Sequence, residues 1–337
     1  MYLLHNKKSM KYKLSFLPLF FILLMSFNGK DKTPSVKSEA TYKVEIKEDI
    51  VYGEGLSHET LNSENAETIP LKLDVYLPKN KDKNRPVYLF FHGGGFKGGS
   101  RKMVHIETMG KYFASRGWVF ISADYRVLKD KGTVPPKWVK VAQKYPQQVR
   151  AQALAIYPAL RDAKSAMRWV IANKEQYKIN TDYITVGGAS AGALTAVGVG
   201  ISNLEDYKEE IRLETDPTLS TTHLDEEYKV NTIIDLWGTK AVVDVLEKLD
   251  GKSRFDSEDP SLLILHGTKD QNKNTLFSEA EALKETYDAN GLTAKLIPLE
   301  GAGHGAWKAT VNGKSLADLS YEFIVEQQQL IVDKSSK

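Results

Sequence analysis

The chain contains no cysteine among its 337 residues. This absence excludes disulfide bonds, thiolate metal sites and a cysteine nucleophile. The sequence also lacks internal repeats, low-complexity tracts and blocks of like charge, so it offers no sign of a repeat architecture or a long disordered tail. With 42% hydrophobic residues it can nevertheless bury a sizeable core. We therefore expect a globular domain that is stable without covalent cross-links.

The sequence also lacks an apolar run of membrane-spanning length. Its most apolar segment, residues 14–27, has 14 residues, which is short for a bilayer crossing and typical of a signal peptide. Four lysines precede that run. Residues 1–29 are therefore interpreted as a signal peptide, with export to the periplasm or the extracellular space as the expected destination. The alternative is that the leader stays uncleaved and anchors the protein in the membrane.

Outside the leader, neither sign of charge is in excess. The net charge is +3, but the first 29 residues hold four lysines and no acid, which leaves 42 basic against 43 acidic residues. Such a balance does not favour a nucleic-acid partner. Residues 30–40 are polar and are interpreted as a linker, so the domain itself is expected to span residues 41–337.

The apolar residues predict an α/β fold. Residues 71–77 alternate apolar and polar, as half-buried strands do, whereas residues 87–91 and 118–122 are continuous apolar runs typical of strands covered on both faces. Further strands are predicted at 184–186, 233–237, 262–265 and 294–299. Helices are predicted at 104–116, from near Pro158, from Ala191, at 276–290 and at 316–332. This alternation favours a mostly parallel central sheet with helices on both faces.

A nucleophile motif lies between one of these strands and the helix that follows it. Residues 188–192 read Gly-Ala-Ser-Ala-Gly, a match to G-x-S-x-G. After a strand and before a helix, this motif forms a sharp turn that exposes the serine hydroxyl above the sheet. Ser190 is therefore the candidate nucleophile. The alternative reading is a plain glycine-rich turn between strand and helix.

A second motif, His-Gly-Gly-Gly, occupies residues 92–95 directly after the strand at 87–91. Consecutive glycines leave backbone N–H groups free to hold the oxyanion of a tetrahedral intermediate. We expect the N–H groups of Gly94, Gly95 and Ala191 to form this oxyanion hole. His92 is expected to brace the loop by hydrogen bonding rather than to transfer protons. The alternatives are an ordinary glycine loop or a phosphate cradle.

The acid and the base are expected later in the chain, in the order serine, acid, histidine. Asp270 follows the strand at 262–265, and His304 lies in a glycine loop after the strand at 294–299. His304 would take the proton of Ser190, because a free serine hydroxyl is a poor nucleophile. Asp270 would orient the imidazole and stabilise its charged form. The alternative is that both are ordinary turn or loop residues.

This set of motifs resembles the α/β-hydrolase superfamily, and within it the bacterial esterases and lipases that carry an HGGG motif. The resemblance extends from about residue 70 to the C-terminus and includes Ser-Ala-Asp-Tyr-Arg at 122–126, which is similar to a strand of that group ending in DYR. It implies the α/β-hydrolase fold and an activity like that of carboxylesterases, hormone-sensitive-lipase-like enzymes or acetylxylan and feruloyl esterases.

The resulting prediction is a carboxylesterase-type serine hydrolase that forms an acyl-enzyme on Ser190. Its expected substrates are short-chain esters or acetyl and feruloyl esters of carbohydrates, and no metal or cofactor is expected. The alternatives are an amidase or peptidase of the same fold, and a non-catalytic binding protein on a hydrolase scaffold. Phe96, Trp237 and Trp307 are candidate pocket residues, and residues 128–157 and 202–228 are candidate lid or specificity segments.

Overall fold

The strands form where the sequence has alternating or continuous apolar residues. The structure is a computed structural model that describes residues 33–334. The strands in this range are β1 (Ser35–Lys37), β2 (Val44–His58), β3 (Ala66–Pro78), β4 (Arg85–Phe91), β5 (Val119–Ala123), β6 (Ile179–Ala189), β7 (Thr232–Leu236), β8 (Ser261–Gly267), β9 (Ala294–Leu299), β10 (Thr310–Val311), β11 (Lys314–Ser315) and β12 (Ile331–Asp333).

Eight of these strands build the central sheet, in the order β2-β3-β5-β4-β6-β7-β8-β9. The pairs β2–β3 and β3–β5 are antiparallel, and all the other neighbours are parallel. The sheet is therefore mostly parallel, as predicted. Because the parallel strands all end at one edge, the loops that follow β4, β6, β8 and β9 meet there.

Helices cover both faces of this sheet, as the alternation of the sequence predicted. The helices in the described range are α1 (Val104–Ala114), α2 (Pro136–Ala142), α3 (Gln147–Ala172), α4 (Lys174–Tyr177), α5 (Ala191–Ile201), α6 (Ala241–Asp250), α7 (Phe277–Ala289) and α8 (Leu316–Gln327). None of the helices in residues 33–334 has the length and apolar character that a bilayer crossing requires.

The two faces of the sheet support two separate hydrophobic cores. In β4, Leu89 and Phe91 pack into the core beneath α3, α5, α6 and α7, whereas Tyr88 and Phe90 pack into the core beneath α1 and α8. All four side chains are fully buried. The continuous apolar run of this strand is thus explained by helices on both sides of it.

The structure corrects the interpretation of residues 30–40 as a linker. Residues 35–37 form β1, which pairs in parallel with β12, and Val36 is buried against α8 and its neighbours. The side chains of Lys37 and Asp333 form an ion pair with a Nζ–Oδ2 distance of 2.6 Å. The compact domain consequently begins at Thr33 rather than at residue 41. The predicted signal peptide, residues 1–29, lies outside the described residues.

Two predicted helix boundaries were also wrong. The helix expected to begin near Pro158 begins eleven residues earlier, at Gln147, and Pro158 lies inside α3. A proline within a helix normally costs about 3 kcal/mol, but every residue of α3 from Tyr157 to Ile171 is buried, and this tertiary packing holds the helix. The helix predicted at 316–332 ends at Gln327, because Gln329 has a φ of +51° and the chain then enters β12.

Candidate active site

Ser190 occupies a strained turn between β6 and α5. Its backbone has φ +55° and ψ −122°, a conformation that residues with a side chain rarely adopt. The turn is closed by small residues, because a Cβ atom on Gly188 would lie 2.1 Å from the carbonyl oxygen of Gly192. The Ser190 N–H donates to the carbonyl of Leu236 in β7 at 2.9 Å. The sequence motif thus forms the predicted nucleophile elbow.

The three predicted triad residues lie in one hydrogen-bonded chain. The Nε2 atom of His304 lies 2.9 Å from Ser190 Oγ, and its Nδ1 atom lies 2.7 Å from Asp270 Oδ2. These distances suit the transfer of a proton from Ser190 to His304 and the orientation of the imidazole by Asp270. The side chain of Asp270 is fully buried, whereas that of His304 is 30% exposed. A substrate can therefore reach the base while the acid stays shielded from water.

Several contacts that the sequence analysis missed hold the acid and the base. The backbone N–H of Asn272 donates to Asp270 Oδ1 at 2.8 Å, and the Thr275 hydroxyl lies 3.4 Å from Asp270 Oδ2 and 3.1 Å from His304 Nδ1. His266 Nε2 lies 3.1 Å from the same Asp270 oxygen. The only sequence signal for these residues is their place at the end of β8 or in the segment that follows it.

The oxyanion loop lies directly against the nucleophile. A Cβ atom on Gly93 would lie 3.4 Å from the Cβ of Ser190 and 2.8 Å from the carbonyl oxygen of Ala189. Gly95 has a φ of +63°, and its carbonyl accepts a hydrogen bond of 2.8 Å from the side chain of Gln152 in α3. Glycine is required at these positions because a side chain would either collide or be strained.

The predicted donors of the oxyanion hole are available in this arrangement. Within residues 33–334 no group accepts a hydrogen bond from the N–H of Gly94 or Gly95. Ala191 is the first residue of α5, so its N–H has no partner within the helix and carries the positive end of the helix dipole. Gly95, Ser190 and Ala191 line the same cavity.

His92 braces the oxyanion loop, as the sequence predicted. Its ring stacks on Tyr125 with centroids 4.3 Å apart, and the Tyr125 hydroxyl donates to the His92 carbonyl at 2.7 Å. Its Nδ1 atom lies 2.8 Å from the Gly93 carbonyl, to which it donates as Nδ1–H. Burial lowers the pKa of His92, so the ring is neutral at ordinary pH. Its role is therefore to fix the loop and not to accept the proton of Ser190.

A cavity of about 500 Å³ opens on Ser190. Its walls come from the oxyanion loop, from the N-terminal half of α3, from α5 and α6, and from the segment after β8. The apolar residues that line it are Phe96, Val149, Ala153, Ile156, Ala191, Leu194, Ala241 and Val245. Polar side chains, including Gln152, Asn272 and Asn274, line it as well. Such a lining can hold an apolar acyl group and still offer hydrogen bonds to a polar substrate.

The structure bears on the predicted pocket residues one by one. Phe96 lines the cavity, but Trp237 and Trp307 do not, which corrects the sequence interpretation of these two. Trp237 is almost fully buried behind the base, with its ring centroid 6.5 Å from that of His304. Trp307 packs edge to face on Trp237 at 5.0 Å and stacks on His105. Both tryptophans thus support the base from outside the cavity.

The two candidate lid segments also differ. Residues 128–157 supply one wall of the cavity through Tyr145, Val149, Gln152, Ala153 and Ile156. Residues 202–228 contribute none of the residues that line it. The first segment therefore borders the cavity, whereas the second packs elsewhere on the domain.

The fold and the site together define an α/β-hydrolase with a Ser-His-Asp triad and a glycine-rich oxyanion loop. Comparison with known families narrows this class. The model of the BD-FAE family matches residues 73–143 and 146–256, which is more than half of the chain. The chain belongs to the BD-FAE family of α/β-hydrolase esterases. The matched range includes Ser190 and the oxyanion loop and ends before Asp270 and His304.

Individual proteins are also similar to this chain. Esterase LipC from Mycobacterium tuberculosis is 24% identical over 262 residues, which cover 69% of this chain and 56% of the relative. The chain thus spans about half the length of that protein. Arylacetamide deacetylase from Bos taurus is 29% identical over 150 residues, covering 43% of this chain and 31% of the relative.

Solved structures resemble the fold over most of its length. A thermophilic esterase from Thermogutta terrifontis with bound propionate has a TM-score of 0.57 and 23% identity, covering 85% of this chain and 94% of the other. The same enzyme phosphorylated by paraoxon has a TM-score of 0.57 and 24% identity, covering 84% and 94%. At this identity the likeness shows the α/β-hydrolase fold.

Proposed function

We propose that the protein hydrolyses carboxylic esters through an acyl-enzyme on Ser190. The observation that carries the proposal is the continuous chain of hydrogen-bonding distances, 2.9 Å from Ser190 Oγ to His304 and 2.7 Å from His304 to Asp270. Ser190, at one end of this hydrogen-bonded series, opens on a cavity. The N–H groups of Gly94, Gly95 and Ala191 beside it have no other partner in the described residues. A binding protein on a decayed scaffold would have no need for this alignment.

In the proposed reaction, Ser190 Oγ attacks the ester carbonyl carbon while His304 Nε2 takes the hydroxyl proton. The carbonyl oxygen becomes an oxyanion, which the N–H groups of Gly94, Gly95 and Ala191 stabilise. When the tetrahedral intermediate collapses, the ester C–O bond breaks and His304 gives its proton to the leaving alcohol. A water molecule then repeats the cycle on the acyl-enzyme, which releases the carboxylic acid and restores Ser190.

The proposed substrates are short-chain esters or acetyl and feruloyl esters of carbohydrates. The apolar part of the cavity supports a small or aromatic acyl group, and the polar side chains support an alcohol rich in hydroxyl groups. The esterase of Thermogutta terrifontis has been observed with propionate and with butyrate. Acyl groups of this length also fit the volume of the present cavity, about 500 Å³.

A fluorophosphonate probe tests the nucleophile without any assumption about the substrate. We expect one covalent adduct, which peptide mapping assigns to Ser190, and no adduct on Ser190→Ala. Ser220, an exposed serine outside the cavity, provides the matched control, because Ser220→Ala should label as the wild type does. An adduct on another residue, or equal labelling of Ser190→Ala, would contradict the proposal.

Chromogenic substrates then test the reaction type. Release of p-nitrophenol from acetate, butyrate and laurate esters should fall as the acyl chain lengthens, because the cavity has a volume of only about 500 Å³. Corresponding p-nitroanilides test the amidase alternative. Cleavage of an anilide without cleavage of any ester would replace the esterase proposal by an amidase.

We further propose that residues 1–29 direct export. The support is the sequence pattern alone, four lysines followed by an apolar run of 14 residues. Expression of the full chain in a bacterial host, followed by N-terminal sequencing of the periplasmic fraction, tests this. An intact chain that stays in the membrane fraction would favour the uncleaved anchor instead.

A further inference from the structure

His266 is a buried titratable residue with no role in the proton transfer described above. It is the penultimate residue of β8, it is completely buried, and its ring packs edge-on against Phe277 at the start of α7, with centroids 6.0 Å apart. Its Nε2 atom lies 3.1 Å from Asp270 Oδ2 and 2.9 Å from the carbonyl oxygen of Thr275. Nε2 therefore contacts both the first and the last residue of the segment from Asp270 to Thr275.

The other ring nitrogen determines the protonation state of this histidine. His266 Nδ1 is buried and has no hydrogen-bond partner among the residues that the structure describes. A proton on Nδ1 would make it a buried N–H donor without an acceptor, which costs the desolvation of that donor. Both partners of Nε2 are acceptors, so this nitrogen must carry a proton. We assign His266 as the neutral tautomer with the proton on Nε2.

This tautomer makes Asp270 Oδ2 the acceptor of more than one ring. His304 Nδ1–H donates to it at 2.7 Å and His266 Nε2–H at 3.1 Å, while the Thr275 hydroxyl lies 3.4 Å away. The titratable groups that act on His266 are Asp270 and His304, and burial lowers its pKa and so favours the neutral form. His266 thus shares the acid with the base and remains an uncharged donor.

We propose that His266 is a positioning residue of the triad: it fixes the orientation of Asp270 and withdraws part of the carboxylate charge from His304. This inference rests on the proposed function of Ser190, Asp270 and His304. Beyond that function, His266 determines how much of the negative charge of Asp270 acts on His304. Removing that donor should leave more negative charge facing His304 and stabilise its protonated form.

The activity test uses two substitutions with different hydrogen-bonding ability. His266→Phe keeps an aromatic ring against Phe277 but cannot donate, and we expect kcat/KM to fall about ten- to hundredfold, the usual range for losing one hydrogen bond to a charged group. The acidic limb of its pH profile should move to higher pH. His266→Gln retains a side-chain N–H and should recover most of the activity and the wild-type pH profile.

A matched control distinguishes positioning from general stability. His58 is also a buried histidine outside the cavity, and its ring nitrogens lie within hydrogen-bonding distance of the Ser63 carbonyl and the Thr133 hydroxyl. His58→Gln should leave the pH profile unchanged. Equal losses in His266→Phe and His266→Gln with an unchanged pH profile would mean that His266 is only structural, which overturns the proposal.

A measurement on the unmutated protein keeps the proposal testable if His266→Phe does not fold. Nitrogen-15 NMR of histidine-labelled protein should show one histidine in the Nε2–H form that stays neutral at acidic pH values where a free imidazole becomes protonated, assigned by its loss in His266→Gln. A protonated or Nδ1–H ring at this position overturns the proposal. Because this readout does not depend on turnover, its failure is distinct from a failure to hydrolyse esters.

Discussion

The substitution Asp270→Asn tests how much the buried acid contributes to the reaction. The carboxylate accepts hydrogen bonds on both oxygens, from His304 and His266 on Oδ2 and from the Asn272 N–H on Oδ1. An asparagine has only one acceptor oxygen. If that oxygen faces the two imidazoles, the amide NH₂ meets the Asn272 N–H, so one donor is left opposite another.

The expected loss of activity follows from the lost charge. At a separation of 2.7 Å between His304 Nδ1 and Asp270 Oδ2, a charged pair interacts by about 6 kcal/mol at an effective dielectric constant of about 20. This is an upper bound, and it converts to about 10⁴-fold in kcat. The same order of loss is typical when the acid of a serine triad is replaced by its amide. We therefore expect kcat to fall about 10³- to 10⁴-fold, with a smaller change in KM.

The assay compares p-nitrophenyl butyrate hydrolysis with the rate of fluorophosphonate labelling, because both require an activated Ser190. Urea unfolding checks that the variant is folded. Asp288→Asn, on the exposed face of α7, serves as the control and should keep wild-type kinetics. A folded Asp270→Asn variant within tenfold of the wild type would refute this reasoning and place the acid elsewhere.

Three further substitutions test other parts of the site and the core. Gln152→Glu removes the donor to the Gly95 carbonyl and should lower kcat about tenfold, because the oxyanion loop is displaced. The control Gln147→Glu, on the exposed face of the same helix, should keep the wild-type kcat. Equal kinetics of the two variants would exclude this role of Gln152. Ile156→Trp fills part of the cavity and should reduce laurate hydrolysis far more than acetate hydrolysis in a chain-length series. Val104→Trp, at an exposed position, is the control. An equal loss for all chain lengths would contradict the assignment of the acyl site. Asp235 is fully buried, which raises its pKa to about 7. The folded state then holds a proton that the unfolded state releases near pH 4, so the free energy of unfolding should fall by up to about 4 kcal/mol as the pH rises from 4 to 7; Asp235→Asn should abolish this slope in urea titrations at several pH values, and an unchanged slope would assign it to another group.

The sequence predicted the framework of the site because each catalytic residue lies at most five residues after the end of a strand. The apolar runs before Ser190, Asp270 and His304 were long enough to be recognised without any knowledge of tertiary contacts. The glycines of the HGGG and G-x-S-x-G motifs are required where two backbone segments approach closely, as Gly93 and Ser190 do. Where a local backbone requirement fixes the residue type, the sequence is informative.

The cavity could not be predicted in the same way. Part of its wall is formed by α3 and α6, whose lining residues include ordinary apolar positions of these helices. Which helical residues face the nucleophile depends on the start of α3, and that start was misplaced because Pro158 lies inside a helix stabilised by tertiary packing. Trp237 and Trp307 were misassigned for a related reason, since proximity to a strand end does not determine which side of His304 a ring occupies.

The arrangement of the triad follows from the sheet order and one close contact. Ser190 follows β6 and His304 follows β9, three strands away, so at about 4.8 Å per strand their strand ends are about 14 Å apart. The loop of residues 300–304 must therefore turn back over the end of β8. It can do so because residue 267 is glycine, where a Cβ atom would lie 2.4 Å from the Ala302 carbonyl oxygen. The same Ala302 carbonyl accepts the Lys269 N–H at 2.9 Å, which ties the loop of the base to the segment of the acid. Gly267 thus contributes to the site as directly as the glycines of the two motifs, although no motif contains it.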